Sequence, residues 1–302
     1  LLTTLFYEEN DFQPLLISMV IVLALGGPLR FFNPIILELT IRDAVVVTVF
    51  GWSIICAVST LPFLISGTIP SFTDAFFEMM SGFTTTGATI LNDIESLDHG
   101  LLMWRSETHF LGGMGFLTLT MIFLPHGMAG ANLFRSESSP GQVITRERFL
   151  PRNRDAMIWL WILYTIMNGF NILLLWLGGM NWFDSICHAF STVATAGFSP
   201  KNASMAHYGS VYFDWVTIVF MMLGGVTFML YYHMLKGHWK VVWKNTELRW
   251  YLGISLFFCV MVSLILWHSE SYLSFFDALR HGTFQVVSLL TTTGLITADY
   301  EL

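Results

Sequence analysis

SGFTTTGAT, residues 81–89, returns as STVATAGFS at 191–199 and as SLLTTTGLI at 288–296. Each copy runs a Thr-containing, β-branched stretch into a single glycine. Each follows a short apolar segment opened by an aromatic–Asp or Thr–Asp step: Thr73-Asp74, Phe183-Asp184 and Phe276-Asp277. In a membrane, a polar Thr–Gly loop at the end of a half-length apolar helix has one foremost use. It lines an ion path with backbone carbonyls.

Composition places the chain in a bilayer. Hydrophobic residues make up 54% of it, charged residues 12%, and the mean hydropathy is +0.63. A soluble domain carries about 25% charge. Six stretches read as spans: 14–32, 43–66, 101–128, 156–180, 211–235 and 250–268. A span needs about 20 apolar residues. The first is closed early by Gly26, Gly27, Pro28 and Arg30, and the third opens on Arg105, Glu107 and His109. Three further apolar stretches, 73–84, 183–194 and 274–291, are too short or too polar to cross and fit buried or re-entrant segments. The fold class expected is an all-α membrane protein.

Charge orients the spans. Arg30 and Arg42 lie between the first two. Arg135, Arg146, Arg148, Arg152 and Arg154 lie between the third and fourth, and Lys236, Lys240, Lys244 and Arg249 between the fifth and sixth. These are eleven of the 14 basic residues, all on one side. The positive-inside rule makes that side cytoplasmic and sets all three Thr–Gly loops on the outer side. The net charge of −7 comes with no basic patch of interleaved aromatics, so nucleic acid is not an expected partner. Cys56, Cys187 and Cys259 are isolated and read as buried free thiols.

The order span, short helix, Thr–Gly loop, span recurs. An extra membrane helix and its cytoplasmic connection occupy 1–42, a first unit 43–128, a cytoplasmic loop 129–155, a second unit 156–235, a cytoplasmic loop 236–249 and an incomplete third unit 250–302. A closing span and a fourth Thr–Gly loop are expected beyond Leu302. Asp74 to Gly87 and Asp184 to Gly197 are both 13 residues, whereas Asp277 to Gly294 is 17. The third short helix is therefore expected to be longer by about one turn.

A potassium ion leaving water needs oxygens in place of its hydration shell. Backbone carbonyls supply them if they point inward at successive levels. Glycine permits φ > 0 at little cost, and threonine adds a stiff side chain that braces the loop. The C-terminal end of each short helix adds a partial negative charge that favours a cation. The loops 84–89, 194–199 and 291–297 contain no ionisable side chain. A carboxylate ring would instead favour divalent ions.

With Thr73-Asp74-Ala75-Phe76-Phe77, Thr84-Thr85-Thr86-Gly87-Ala88-Thr89 and Phe110-Leu111-Gly112-Gly113-Met114-Gly115, the chain resembles the Trk/Ktr/HKT superfamily of potassium transporters. The bacterial TrkH-like branch is the nearest in pattern. His188-Ala189-Phe190-Ser191-Thr192 through Gly197-Phe198-Ser199, and Phe284-Gln285-Val286-Val287-Ser288 through Thr293-Gly294, extend the resemblance over essentially the whole chain. The resemblance implies four repeats around one pore in a bacterial cytoplasmic (inner) membrane. It maps the potassium-binding filter onto Thr85, Thr86 and Gly87, onto Thr195, Ala196 and Gly197, and onto Thr292, Thr293 and Gly294. A filter glycine in every repeat goes with potassium selectivity, and serine in the first with sodium transport. Ala196 implies a less symmetric filter. No cofactor is expected; K+ is the transported ion. A homodimer and a cytoplasmic nucleotide-binding regulatory subunit are the partners implied, with lipid around the spans.

Other residues have competing readings. Glu107 and His109 are expected to form an interfacial polar pair with Arg105. Gly112-Gly113-x-Gly115 and Gly224-Gly225 read equally as hinges or as close helix contacts. Asp93, Glu95 and Asp98 either concentrate cations at the mouth or form a solvated loop. Arg280 is expected to pair with Asp277, three residues away on one helical face. Three classes of function stand: a potassium channel or transporter, with sodium-permeable or ion-coupled variants of the same fold; a non-conducting structural subunit; and an intramembrane enzyme. No HExxH, GxSxG or paired catalytic Asp motif supports the last.

Overall fold

The computed structural model describes residues 1–29, 41–123, 153–269 and 272–298. Every regular element among them is helical. In chain order these are α1 (Leu2–Tyr7), α2 (Phe12–Leu29), α3 (Ile41–Ser59), α4 (Leu61–Ser66), α5 (Phe72–Phe83), α6 (His99–Phe123), α7 (Asn153–Leu177), α8 (Trp182–Val193), a 3-10 turn (Ser204–Tyr208), α9 (Val211–Gly224), α10 (Phe228–Leu235), α11 (Trp239–Lys244), α12 (Thr246–His268) and α13 (Phe275–Leu290).

Among the described residues, three segments are long and apolar enough to cross a membrane: Val45–Ser66, Ile158–Leu177 and Thr246–His268. Two shorter apolar helices are Phe12–Pro28 and Val211–Gly224. The expected span 211–235 is thus broken, because α9 stops at Gly224 and α10 restarts at Phe228. A break inside a bilayer frees carbonyls that must find donors. Tyr231 Oη donates to Leu223 O at 2.6 Å and Tyr251 Oη to Met222 O at 3.2 Å. The basic loop expected at 129–155 lies outside the described residues up to Arg152, as does the end of the first unit beyond Phe123.

The three half-length helices are α5, α8 and α13. Two are 12 residues long and the third is 16, the extra turn that the Asp-to-Gly spacing implies. Ser71 and Asn181 cap the first two, accepting from the amides of Asp74 and Asp184. Their opening aspartates therefore sit in the first helical turn, where the dipole favours a carboxylate.

Both glycine pairs make close contacts, and the second also sits where the helix breaks between α9 and α10. A Cβ on Gly112 would collide with the carbonyl of Phe83, the last residue of α5, and one on Gly224 would lie 2.8 Å from the carbonyl of Val193, the last of α8. The second glycine of each pair faces the following unit. A Cβ on Gly113 would lie 2.8 Å from Tyr164 Oη and 3.3 Å from Ala194 Cβ. One on Gly225 would lie 2.6 Å from Tyr251 Oη and 3.2 Å from Thr291 Cγ2. Each Gly–Gly pair wedges a closing helix between its own short helix and the next unit.

This packing predicts that Gly112→Ala lowers the thermal midpoint of the detergent-solubilised protein, since backbone must move. Gly253→Ala, on α12 with nothing within 4 Å of the new methyl, raises stability instead, by about 0.5–1 kcal/mol. Unfolding followed by intrinsic tryptophan fluorescence checks both.

Candidate ion-conduction site

Each short helix ends in the same backbone turn. The last helical residue of α5 is Phe83; Thr84 caps it and Thr85 follows with φ of 53°. Thr195 and Thr292 hold the same place after α8 and α13, with φ of 52° and 58°. Thr85 N donates to Gly82 O at 3.1 Å and Thr86 N to Ser81 O at 2.9 Å. The second loop repeats this with Thr195 N to Thr192 O (3.2 Å) and Ala196 N to Ser191 O (2.9 Å). The third does so with Thr292 N to Leu289 O (3.1 Å) and Thr293 N to Ser288 O (2.8 Å). This is a Schellman closure with threonine where glycine usually stands. A left-handed conformation costs an L-residue about 1–2 kcal/mol. Of the five non-glycine residues with positive φ among the described residues, three are these threonines.

Two residues on, the chain turns left-handed again. Gly87, Gly197 and Gly294 have φ of 76°, 110° and 79°. All nine expected filter residues thus fall in three copies of one conformation. The loops also touch in sequence. A Cβ on Gly87 would collide with the carbonyl oxygen of Ala196 and lie 3.0 Å from the Cα of Gly197. One on Gly197 would collide with the carbonyl oxygen of Thr293 and lie 3.4 Å from the Cα of Gly294. The glycine of one unit rests on the carbonyl that precedes the glycine of the next. A contact repeated with the same hand is what builds a ring.

The side chains around these turns differ. In the first loop Thr84 and Thr86 hydroxyls share a hydrogen bond of 2.8 Å, and in the third Thr291 and Thr293 share one of 2.7 Å. Thr84 and Thr291 also donate to Met80 O and Val287 O. The second loop has Ala194 and Ala196 at both positions, so the pair is lost as a pair. There Ser191 Oγ accepts from Gly197 N at 2.8 Å. The carbonyl of the serine that opens each copy accepts the closing amide in every turn, whereas only the Ser191 and Ser288 hydroxyls add a bond of their own. The recurrence of this serine at 81, 191 and 288 was the signal that could have revealed it.

Arg105 does not pair with Glu107 or His109 at an interface. It is 1% exposed and its Nε donates to Glu78 Oε1 at 2.6 Å. Glu78, 0% exposed on α5, also accepts from Thr89 Oγ1 at 2.9 Å and from Ile90 N at 3.1 Å. Arg105 Nη1 donates to Ser199 O at 3.1 Å, and its Cζ lies 3.5 Å from the centroid of the Phe198 ring. His109 stacks on the other partner of that contact, Phe198, at 4.2 Å. Glu78 lies in a short helix whose sequence pattern is apolar overall, and no local signal marks it. The third loop leaves its turn on different supports. Ile296 O accepts from Ala206 N at 3.1 Å, and Ser288 Oγ donates to Leu295 O at 2.7 Å.

The outer acidic residues are engaged. Asp93 Oδ1 accepts from Asn202 Nδ2 at 2.9 Å, Glu95 Oε1 accepts from Asn202 N at 3.1 Å, and Asn202 Oδ1 accepts from Ile94 N at 2.6 Å. They fasten the first unit to the loop after the second Thr–Gly turn. Arg280 pairs with Asp277 at 3.3 Å as expected, and also with the buried Asp214 of α9 at 3.4 Å. The three cysteines are free and buried.

The hydroxyl pairs predict a measurable difference between loops. A double-mutant cycle on Thr291→Ala and Thr293→Ala should give a coupling of about 1 kcal/mol, the net worth of one hydrogen bond. The exposed Thr84–Thr86 pair should couple less, because water replaces the lost partner. Denaturation in detergent, run on both cycles, checks this.

The chain resembles known proteins in sequence and in fold. A family model described as "TrkH: Cation transport protein" matches residues 13–301. The chain is 35% identical over 300 residues to the Trk system potassium uptake protein TrkH of Salmonella typhimurium, covering 98% of this chain and 62% of that protein. It is 33% identical over 304 residues to TrkG of Escherichia coli, covering 99% and 62%. The crystal structure of the potassium transporter TrkH from Vibrio parahaemolyticus superposes with a TM-score of 0.85 at 31% identity, over 98% of this chain and 61% of that one. The chain thus spans about three fifths of the length of the curated relatives it matches. Three left-handed Thr–x–Gly turns, interlocked in order inside a helical membrane fold, and the match over 13–301 together establish that this chain belongs to the TrkH family of cation transport proteins.

Proposed function

We propose that this chain forms part of the wall of a potassium uptake pore in a bacterial cytoplasmic membrane. The observation that carries the reading is the glycine-to-carbonyl contact that links Gly87 to Ala196 and Gly197 to Thr293. It brings uncharged backbone from successive units edge to edge. Only backbone oxygens and threonine hydroxyls are there to replace the water around an ion. The ion-binding residues are Thr85, Thr86 and Gly87, Thr195, Ala196 and Gly197, and Thr292, Thr293 and Gly294. The units 43–128, 156–235 and 250–302 are the pore repeats, and K+ is cargo rather than a resident cofactor.

The relatives are named as Trk system potassium uptake proteins, which supports potassium as the ion and membership of such a system. A homodimer and a cytoplasmic nucleotide-binding regulatory subunit belong to the proposal through the family resemblance. The basic connections between spans support a cytoplasmic face opposite the filter loops. A purely structural role gives no reason for three uncharged turns to meet at glycine.

Gly87→Ser tests the reading. Serine at φ of 76° is strained, and its Cβ would collide with the Ala196 carbonyl, so the first and second loops must part. The flux ratio of potassium to sodium, measured in proteoliposomes, is expected to fall. An unchanged ratio with normal uptake would remove Gly87 from the ion path.

A further inference from the structure

We infer that the Glu78–Arg105 pair is a clamp that sets the position of the first filter loop against the second, and so helps to determine ion selectivity without touching the ion. The inference rests on the pore reading above. Both groups are fully buried, at 0% and 1% exposure. Each has a second task besides its partner. Glu78 receives Thr89 Oγ1 and Ile90 N, two and three residues after Gly87. Arg105 donates to Ser199 O, two residues after Gly197, and lies over Phe198. One ion pair therefore grips the outgoing strands of both loops. Glu78 stands on the short helix of the first unit, Arg105 on its closing helix, and Ser199 in the second unit.

The chemistry has a direction that an ordinary ion pair lacks. The strand of the first loop presents donors, Thr89 Oγ1–H and Ile90 N–H, and only an acceptor meets them. The strand of the second presents an acceptor, Ser199 O, and only a donor meets it. The planar guanidinium fork serves Glu78 through Nε and Ser199 through Nη1 at once. A lysine ammonium on a flexible stem does not hold that geometry. At the same distance before the filter glycine, the second and third units have His188 and Gln285. The clamp therefore belongs to the junction of the first and second units.

The test is the potassium-to-sodium flux ratio of the intact protein in proteoliposomes, with membrane abundance as a folding control. Arg105→Lys keeps the charge and is expected to lower the ratio by about tenfold, the loss of one charge-assisted hydrogen bond. The exchange Glu78→Arg with Arg105→Glu is expected not to restore it, because donor would face donor at Ile90 and acceptor would face acceptor at Ser199. Restoration by the exchange would show a simple ion pair and overturn the clamp. If the exchanged protein does not reach the membrane, Thr89→Val decides. Thr89 is exposed, and this change removes one grip while leaving the ion pair intact. A lower ratio supports the clamp, and an unchanged one overturns it. Gly87→Ser run alongside separates the two readings. If it lowers the ratio while Arg105→Lys and Thr89→Val do not, the pore stands and the clamp falls.

Discussion

A helix that stops inside a bilayer has carbonyls to dispose of and no water to give them to. The turns that end the three short helices follow from that constraint. Two of the last carbonyls in each short helix turn inward on the chain's own amides, through Ser81 and Gly82, Ser191 and Thr192, and Ser288 and Leu289. The turn that does this must be left-handed at its centre. Glycine would adopt it freely, but glycine would also leave it freely. Threonine at 85, 195 and 292 is strained there, and such strain persists only where the surroundings over-determine it. The result is a stiff exit from each helix, two residues before the glycine that meets the next unit.

Stiffness within each loop does not by itself fix one loop against another. That work is divided among unlike contacts with the same direction around the structure. Gly113 and Gly225 admit the next unit's Tyr164 and Tyr251. Gly87 and Gly197 rest on the next unit's carbonyls. Asp93 and Glu95 hold Asn202 of the second unit, and Ala206 holds Ile296 of the third. The backbone contacts repeat closely while the polar side-chain contacts do not. That pattern suits the proposed role, in which an ion meets the backbone path and not the side chains.

Much of this was legible in the sequence. The three short helices fall within a residue of the stretches marked by apolar length and by the opening aspartate step, and the longer third one follows from arithmetic on Asp277 and Gly294. The glycine turns followed from the repeated phrase. What escaped was of two kinds. Left-handed threonine is invisible to propensity, because β-branched residues disfavour that region and only the surrounding hydrogen bonds impose it. Glu78 and Arg105 lie 27 residues apart, and a buried ion pair at that separation has no periodic signature. Arg105 was read against its nearest polar neighbours, Glu107 and His109, when the helix turned it toward α5. The break after Gly224 was hidden for a similar reason: two tyrosines, one of them in the next unit, satisfy the freed carbonyls.

The central claim is that an ion is held by backbone oxygen where the loops meet. Thallium scatters strongly and stands in for potassium, so an anomalous difference map of the intact protein crystallised with it tests this directly. The account predicts peaks bounded by the carbonyls of Thr85, Thr86, Thr195, Ala196, Thr292 and Thr293. Peaks confined to the outer acidic loop at Asp93 and Glu95, with none between the three turns, would contradict it.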